Sequence, residues 1–571
     1  MNIASIRTKP RRPRAWIPLV FACAAALVSS CKPRSPRPAG SVSVGAVLQA
    51  RVGPPGTKGP IFCRRDRICG SDVLPDFYRA RGYRPAWIDD DLELADAFSF
   101  VRALRLVAED GLNPENYHLS AIETLLAEVA TAQREKPGNV ASETQADLEM
   151  LLTDAFLLCG SHLVHGQVNP ETIQSEWFIK GRYEDLAAAL EKGLAEKNIP
   201  GALASLRPSH AVYRGLLKAF RDCGAVVGAG GWPVFPPGPT LKKGERGARV
   251  ESLGDTLAAM GDFAPAAEVD HSLFDGGLED AVRAFQRRHG LEPDGVVGPQ
   301  TAAALEVPAE KRLTQIRANL ERWRWITQDL GQKYILINVA DFRLGVVEGD
   351  REVISMPAIV GRSYRRTPDF SARLSYIVFN PSWTVPPKLA REDILPKIKQ
   401  DPGYLVEKGI RVFENWTEGA KEINPEEIDW SQVKPDRLPY KFRQDPGPKN
   451  ALGRITFMFP NKFDVYMHDT PERELFSRAV RSFSSGCIRI ERPVDLAEYV
   501  LREDPEWNRE RILASIESPE TRVVRLRNSL PVHLLYWTAW LADDGRVQFR
   551  EDIYLRDAAL YRALEQSSSE P

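Results

Sequence analysis

Beyond Lys333 the hydrophobic period of this chain switches from 3.6 residues to 2, which limits it to helices first and a sheet after. Upstream, residues 94–106 and 148–164 carry apolar side chains at three- and four-residue spacing, as helix faces do. Downstream, residues 334–340, 343–347, 375–379 and 463–467 read as strands. A chain of 571 residues also exceeds what one hydrophobic core can organise. The expected fold class is multidomain α+β.

Changes in composition mark the boundaries. Residues 32–60 are rich in Pro, Gly and Ser and read as a flexible tether. A helical scaffold is expected over 61–235, ending in the Gly- and Pro-rich run 228–239. Residues 236–306 form a small helical unit, in which Leu278, Ala281, Val282 and Phe285 stand at i, i+3, i+4 and i+7. His289 reads as a helix-end residue and not as a metal ligand. A connecting helix is expected at 307–330, a β-rich domain at 331–505 and a C-terminal segment at 506–571. Within the β-rich domain, 400–450 is polar and irregular, with Trp416, Trp430, Tyr440 and Phe442 scattered through it. An insertion of that length in a compact domain is more often a functional lid than a passive loop.

The N-terminus carries Arg7, Lys9, Arg11, Arg12 and Arg14 ahead of an apolar run over 16–30. A bilayer span needs about 20 apolar residues, so the run suits an export signal over 1–31 better than a membrane helix. It ends in Leu27-Val28-Ser29-Ser30-Cys31, which resembles a bacterial lipobox with Cys31 as the lipidated residue. Lys32 follows, without the aspartate that retains some lipoproteins at the inner membrane, so the outer membrane is favoured. The 76 basic and 77 acidic residues leave a formal net charge of -1 and give no support for nucleic-acid binding. Export makes the seven cysteines informative. Setting aside Cys23 and Cys31 leaves five. Pairing Cys63 with Cys69 and Cys159 with Cys223 is one of three possible connectivities for those four, and it leaves Cys487 as a lone thiol.

The chemistry gathers around that thiol. Tyr466-Met467-His468-Asp469 is followed by Ser484-Ser485-Gly486-Cys487-Ile488-Arg489, with 487 − 468 = 19 residues between histidine and cysteine. Acyl transfer by a thiol needs a thiolate, a base to take its proton and donors for the developing oxyanion. His468, at the end of an edge strand, would supply the base. Ser485 and Gly486 make a small turn whose backbone N–H groups can face a tetrahedral oxygen. Arg489 brings a cation close enough to favour thiolate or hold a carboxylate.

This pattern resembles the active site of L,D-transpeptidases of the YkuD type. The resemblance implies Cys487 as nucleophile and His468 as general base, with Ser485, Gly486, Arg489 and Tyr466 at the oxyanion and substrate positions. Many members carry a second histidine where this chain has Ser485. Further stretches are similar to the large, scaffold-bearing branch of that family. They include Gly361-Arg362 with Thr367-Pro368, Asn380-Pro381-Ser382-Trp383, Asn450-Ala451-Leu452-Gly453 and the 536–554 run. Residues 240–306, with Gly244, Gly247, Phe285-Gln286, Gly290-Leu291 and Asp294-Gly295, resemble a small peptidoglycan-binding domain found beside many wall enzymes.

The resemblance implies two-step transfer without metal or organic cofactor. Cys487 would attack the carbonyl of the third stem-peptide residue, D-Ala would leave, and a diaminopimelate amine would resolve the thioester into a 3→3 cross-link. The insertion would cap the substrate, with Trp416, Trp430 and Tyr440 shielding the acyl-enzyme. Expected partners are peptidoglycan stem peptides, glycan and, through the anchor, a membrane at the periplasmic side of the envelope. An L,D-carboxypeptidase, an amino-acid exchanger, or a non-catalytic wall-binding lipoprotein are the alternatives.

Overall fold

In a computed structural model of the chain, residues 42–567 are described, apart from 54–60, 71–72, 89–92, 136–139, 175, 265–269, 328 and 350. The expected export signal and Cys31 lie outside the described residues, and the expected tether is corrected in part: helix Val44–Val52 buries Val44, Val47, Leu48 and Val52 in the scaffold core. No helix among the described residues is long and apolar enough to cross a membrane.

The scaffold is built around helix Ser142–His165, which is buried on nearly every side. Such a helix must satisfy any polar group it carries. Glu149 does so by accepting the backbone N–H groups of Ala86, Trp87 and Ile88 at 2.7–2.9 Å. A hairpin of β1 (Ile61–Cys63) and β2 (Asp66–Ile68) packs on the same helix. In that hairpin Cys63 pairs with Asp66 beside the turn, whereas Cys69 follows Ile68 at the open end. Three residues of strand, roughly 10 Å, separate their levels, too far for a disulfide. Cys159 is sealed in the scaffold core, while Cys223 belongs to a different cluster and donates to the Ala309 carbonyl. Both expected disulfides are therefore corrected: all five cysteines from Cys63 to Cys487 are free thiols.

β3 (Trp177–Phe178) leaves the scaffold to pair with a strand of the main sheet. The small unit after it holds helices Ala248–Ala259, Gly276–Arg288 and Pro299–Leu305, with Leu278, Ala281, Val282 and Phe285 in its core as their spacing requires. His289 caps the middle helix, as expected, and its ring stacks on Phe285 and Phe549. Helix Ala309–Arg324 connects this unit to the sheet, yet it is a buried spine more than a linker. Arg322 pairs with Asp557 at 2.6 Å, and Arg324 with Glu321 at 2.9 Å.

The main sheet comprises β4 (Lys333–Asn338), β5 (Arg343–Glu348), β6 (Arg351–Gly361) and β7 (Asp369–Phe379), then, beyond the insertion, β12 (Ile455–Met458), β13 (Met467–His468), β14 (Ser482–Ser484), β15 (Ile488–Ile490) and β16 (Arg522–Leu535). Between them, β8 (Trp383–Thr384), β9 (Ile410–Phe413), β10 (Glu422–Ile423) and β11 (Lys441–Gln444) form a separate four-stranded sheet. The main order is β12-β13-β15-β6-β5-β4-β16-β7-β3, and β12 also pairs with β7, so eight of these strands close into a ring around one apolar core. The expected domain end at 505 is corrected, because β16 lies between β4 and β7. A final hairpin, β17 (Ala539–Leu541) and β18 (Val547–Phe549), and helix Arg556–Ser567 complete the chain.

The insertion is also larger than expected. It begins with β8 at Trp383 and has a core of its own, including Val385, Ile394, Ile398, Leu405, Val412 and Phe442. The expected strand at 463–467 is shortened to β13. Asn461 accepts the N–H groups of Phe463 and Val465, and Asp464 takes a left-handed φ of 54°, so 461–465 turns instead of extending.

Candidate active site

β13 and β15 run parallel, with Met467 level with Ile488 and His468 level with Arg489. The same register puts Cys487 beside Tyr466, and Ile488 N–H donates to the Tyr466 carbonyl at 3.1 Å. Side chains two apart on a strand share a face. Cys487, Tyr466, His468 and Arg489 therefore rise from one face of two adjacent strands, although 19 residues separate the cysteine from the histidine. β13 is not an edge strand, since β12 flanks its other side.

His468 is buried, and its Nδ1–H donates to the Asp469 carbonyl at 2.6 Å. A carbonyl can only accept, so this bond fixes the tautomer and leaves a lone pair on Nε2. Burial, aided by the Arg489 charge, lowers the imidazole to about 3, so it is neutral at physiological pH. Asp469 is itself held: its N–H donates to Ile455, and its carboxylate takes the Arg454 N–H at 2.9 Å.

Cys487 is half-buried, and its Sγ donates to the Asp464 carbonyl at 3.7 Å. Among the described residues no hydrogen bond joins Sγ to His468, so the resting thiol faces the 461–465 turn. Burial pushes the thiol up to about 11, against the lowering effects of the Tyr466 N–H and Arg489. The resting pair is thus a neutral thiol beside a neutral base, which can pass a proton as the sulfur attacks. Tyr466 packs on His468 with ring centroids 5.7 Å apart. Arg489 pairs with Glu472 and reaches the Thr470 hydroxyl at 3.4 Å, leaving its buried Nε without an acceptor among the described residues.

The turn before the cysteine is fixed from inside. Gly486 N–H donates to Ser484 Oγ at 3.1 Å, and Ser484 Oγ donates to the Cys487 carbonyl at 2.5 Å. Gly486 has φ 117°, which a side chain rarely tolerates. Because the Gly486 N–H is used internally, the donors left for an oxyanion are the N–H groups of Ser485 and Cys487. Neither has an acceptor among the described residues.

The loop from Gly361 to Thr367 grips the same turn. Thr367 Oγ1 donates to the Gly486 carbonyl at 2.9 Å, and Arg362 N–H to the Ser484 carbonyl at 3.0 Å. Tyr554 Oη supports the loop, donating to the Gly361 carbonyl at 2.6 Å and accepting from Thr367 N–H at 3.1 Å. Family likeness marks these stretches in the sequence but not their grip on the turn, because they lie about 120 residues before it and 70 after it.

The expected lid aromatics are corrected in part. Trp430 is buried in the insertion's own core, with Nε1–H donating to the Pro425 carbonyl, and Tyr440 packs against it at 5.6 Å. Trp430 thus stabilises the insertion itself and is turned away from solvent, while Tyr440 is half-buried against it. Trp416, 41% exposed in the β9–β10 connection, is the one of the three that faces outward.

Three segments of the chain match known protein families. Residues 332–523 match the L,D-transpeptidase catalytic domain, 72–220 a scaffold domain, and 246–305 a family described as "Putative peptidoglycan binding domain". A Haemophilus influenzae protein named "Putative L,D-transpeptidase" is 35% identical over 246 residues, 43% of this chain and 48% of that protein. The match thus spans about half of that relative's length. Two N-acetylmuramoyl-L-alanine amidases match shorter stretches. One, from Mycobacterium tuberculosis, is 40% identical over 13% of this chain and 20% of its own length. The other, from Bacillus licheniformis, is 36% identical over 13% and 21%. A solved L,D-transpeptidase from Xylanimonas cellulosilytica covers 52% of this chain and 99% of its own at 16% identity, with a TM-score of 0.17, too low to bear on the fold. Residues 332–523 thus carry an L,D-transpeptidase catalytic domain, preceded in the chain by a scaffold domain and a peptidoglycan-binding-like domain.

Proposed function

We propose that the protein is a murein L,D-transpeptidase with Cys487 as nucleophile and His468 as general base. The observation that carries this reading is the parallel register of β13 and β15, which sets a neutral, tautomer-fixed imidazole on the same face as the thiol. His468 Nε2 takes the Sγ proton as sulfur bonds to the carbonyl carbon of stem residue three. The N–H groups of Ser485 and Cys487 receive the oxyanion. The C–N bond then breaks, His468 returns the proton to the departing D-Ala amine, and a thioester remains. The side-chain amine of a diaminopimelate on a neighbouring stem attacks it, gives its proton to His468, and the sulfur leaves, forming a 3→3 cross-link. The 246–305 domain would hold glycan, and the site of action is the cell envelope, with Cys31 as a lipid anchor at the outer membrane.

Mass spectrometry after incubation with a carbapenem and with a disaccharide-tetrapeptide tests this. The wild type should carry the adduct on Cys487 and yield dimers, and Cys487→Ala should do neither. Products shortened by one D-Ala without dimers would mean that water is the acceptor. Dimers made equally well by Cys487→Ala would refute the nucleophile.

A further inference from the structure

Each of the three residues before Cys487 is held by the loop after β6: Ser484 by Arg362 N–H, Gly486 by Thr367 Oγ1, and Ser485 by Arg365. The first two holds stay within the ring of strands. The third does not. Arg365 Nη1 donates to Ser485 Oγ at 3.0 Å, while Nη2 donates to Glu392 at 2.8 Å and to Asp393 at 2.8 Å. Nη1 also bonds the second Asp393 oxygen. Glu392 and Asp393 belong to the π-helical turn Ala390–Ile394 at the root of the 383–450 insertion, whose Ala390 and Ile394 are fixed in the insertion's core. The Arg365 side chain is only 8% exposed. One guanidinium fork thus bridges the nucleophile's turn and the body that would cover it.

Charge separates two roles for this arginine. Its single positive charge faces two carboxylates, so it adds no net cation beside the thiol. Its planar fork, by contrast, fixes the direction of each bond. An arginine only donates, so Ser485 Oγ must accept from it, and the Ser485 O–H is left free to donate on the exposed side.

We propose that Arg365 is a positioning residue that fixes Ser485, and through it the Cys487 turn, only while Glu392 and Asp393 of the insertion root hold its guanidinium. The insertion and the nucleophile turn then form one body, and detaching the root loosens the turn. This inference rests on Cys487 being the nucleophile.

The test uses the full chain, with the rate of carbapenem acylation at Cys487 read by mass spectrometry and folding read by the thermal midpoint. Misplacing a reacting group by about 1 Å costs on the order of a hundredfold. Arg365→Gln should therefore slow acylation about ten- to a hundredfold while the midpoint stays nearly unchanged. Arg365→Lys, which keeps the charge but not the fork, should not restore the rate. The decisive comparison is a cycle: the combined Glu392→Gln and Asp393→Asn change should slow acylation when Ser485 is present and have little further effect in Ser485→Ala. Equal slowing in both backgrounds, or losses that only track the midpoint, would overturn the proposal. So would wild-type acylation in Arg365→Gln, with the nucleophile assignment left intact. No adduct on Cys487 in the wild type would overturn both.

Discussion

Gly453→Ala offers a direct test of how the base is aimed. Gly453 has φ 63°, and a Cβ there would lie 2.4 Å from Asp469 Oδ2 and 2.5 Å from Asp469 Cβ and Cγ. A left-handed backbone costs an alanine roughly 1–2 kcal/mol. The contact adds overpacking of about 1–3 kcal/mol, because Asp469 must retreat by roughly 1 Å to reach ordinary van der Waals separation. The Asp469 carboxylate can swing, but its Cβ is fixed to the backbone whose carbonyl holds His468 Nδ1. The imidazole therefore moves with it, and a displacement of about 1 Å in a reacting group costs on the order of a hundredfold in rate. Acylation by a carbapenem should fall by about that factor, together with a lower unfolding midpoint. Gly349→Ala is the control: φ is 59° and nothing lies within 4 Å of the added Cβ, so it carries the backbone cost alone. If Gly453→Ala behaved like Gly349→Ala in both assays, the coupling from Gly453 through Asp469 to His468 would be refuted.

The thiol, raised to about 11, should be alkylated by iodoacetamide at a rate that climbs about tenfold per pH unit between 7 and 10. A plateau below pH 8, read at Cys487 by peptide mapping, would reveal a resting thiolate–imidazolium pair instead. His468, lowered from 6.5 to about 3, binds fewer protons folded than unfolded across that window. The stability it contributes is complete above about pH 6.5 and is lost as pH falls toward 3. Urea midpoints of the wild type should therefore drop more steeply than those of His468→Gln between pH 6.5 and 3.5, and parallel curves would contradict the burial argument. Unfolding without reductant should expose free thiols at Cys63, Cys69, Cys159, Cys223 and Cys487, and a disulfide-linked peptide in the digest would disprove the hairpin geometry. Asn380→Ala should destabilise by about 2–4 kcal/mol. It removes bonds to the Ser515 and Ser518 carbonyls at 2.7 and 2.6 Å and to Arg454 at 2.9 Å, and denaturant titration would measure the loss.

What the sequence makes legible follows the range of the forces involved. The Leu278–Phe285 face and the helix around 148–164 are set by local periodicity, and both appear where expected. His468 and Cys487 are readable because strand, turn and nucleophile fall within one short stretch. A cysteine count carries no distances, and the hairpin register removes the closer of the two expected disulfides. β16 is hidden in the sequence for a physical reason. Pro531 lacks an N–H and argues against an inner strand, but the structure places it just past a register shift between Arg525 and Leu530. The aromatic residues of the insertion looked like a substrate surface because nothing local marks Trp430 as buried. Arg365, Thr367 and Tyr554 act on the turn across long stretches of chain, and no spacing rule reaches that far.

The position of β16 also sets an order of events. Its residues follow Cys487 in the chain, yet they fill the gap between β4 and β7, two strands made nearly two hundred and one hundred and fifty residues earlier. Strand pairings so distant in sequence form late, after loop closure has been overcome. Until residues 522–535 emerge, β4 and β7 each present an open edge, the ring cannot close, and the turn bearing Cys487 has no finished support beneath it. Synthesis of the stretch bearing Cys487 is therefore not enough: its turn gains full support only once residues 522–535 have been made and paired.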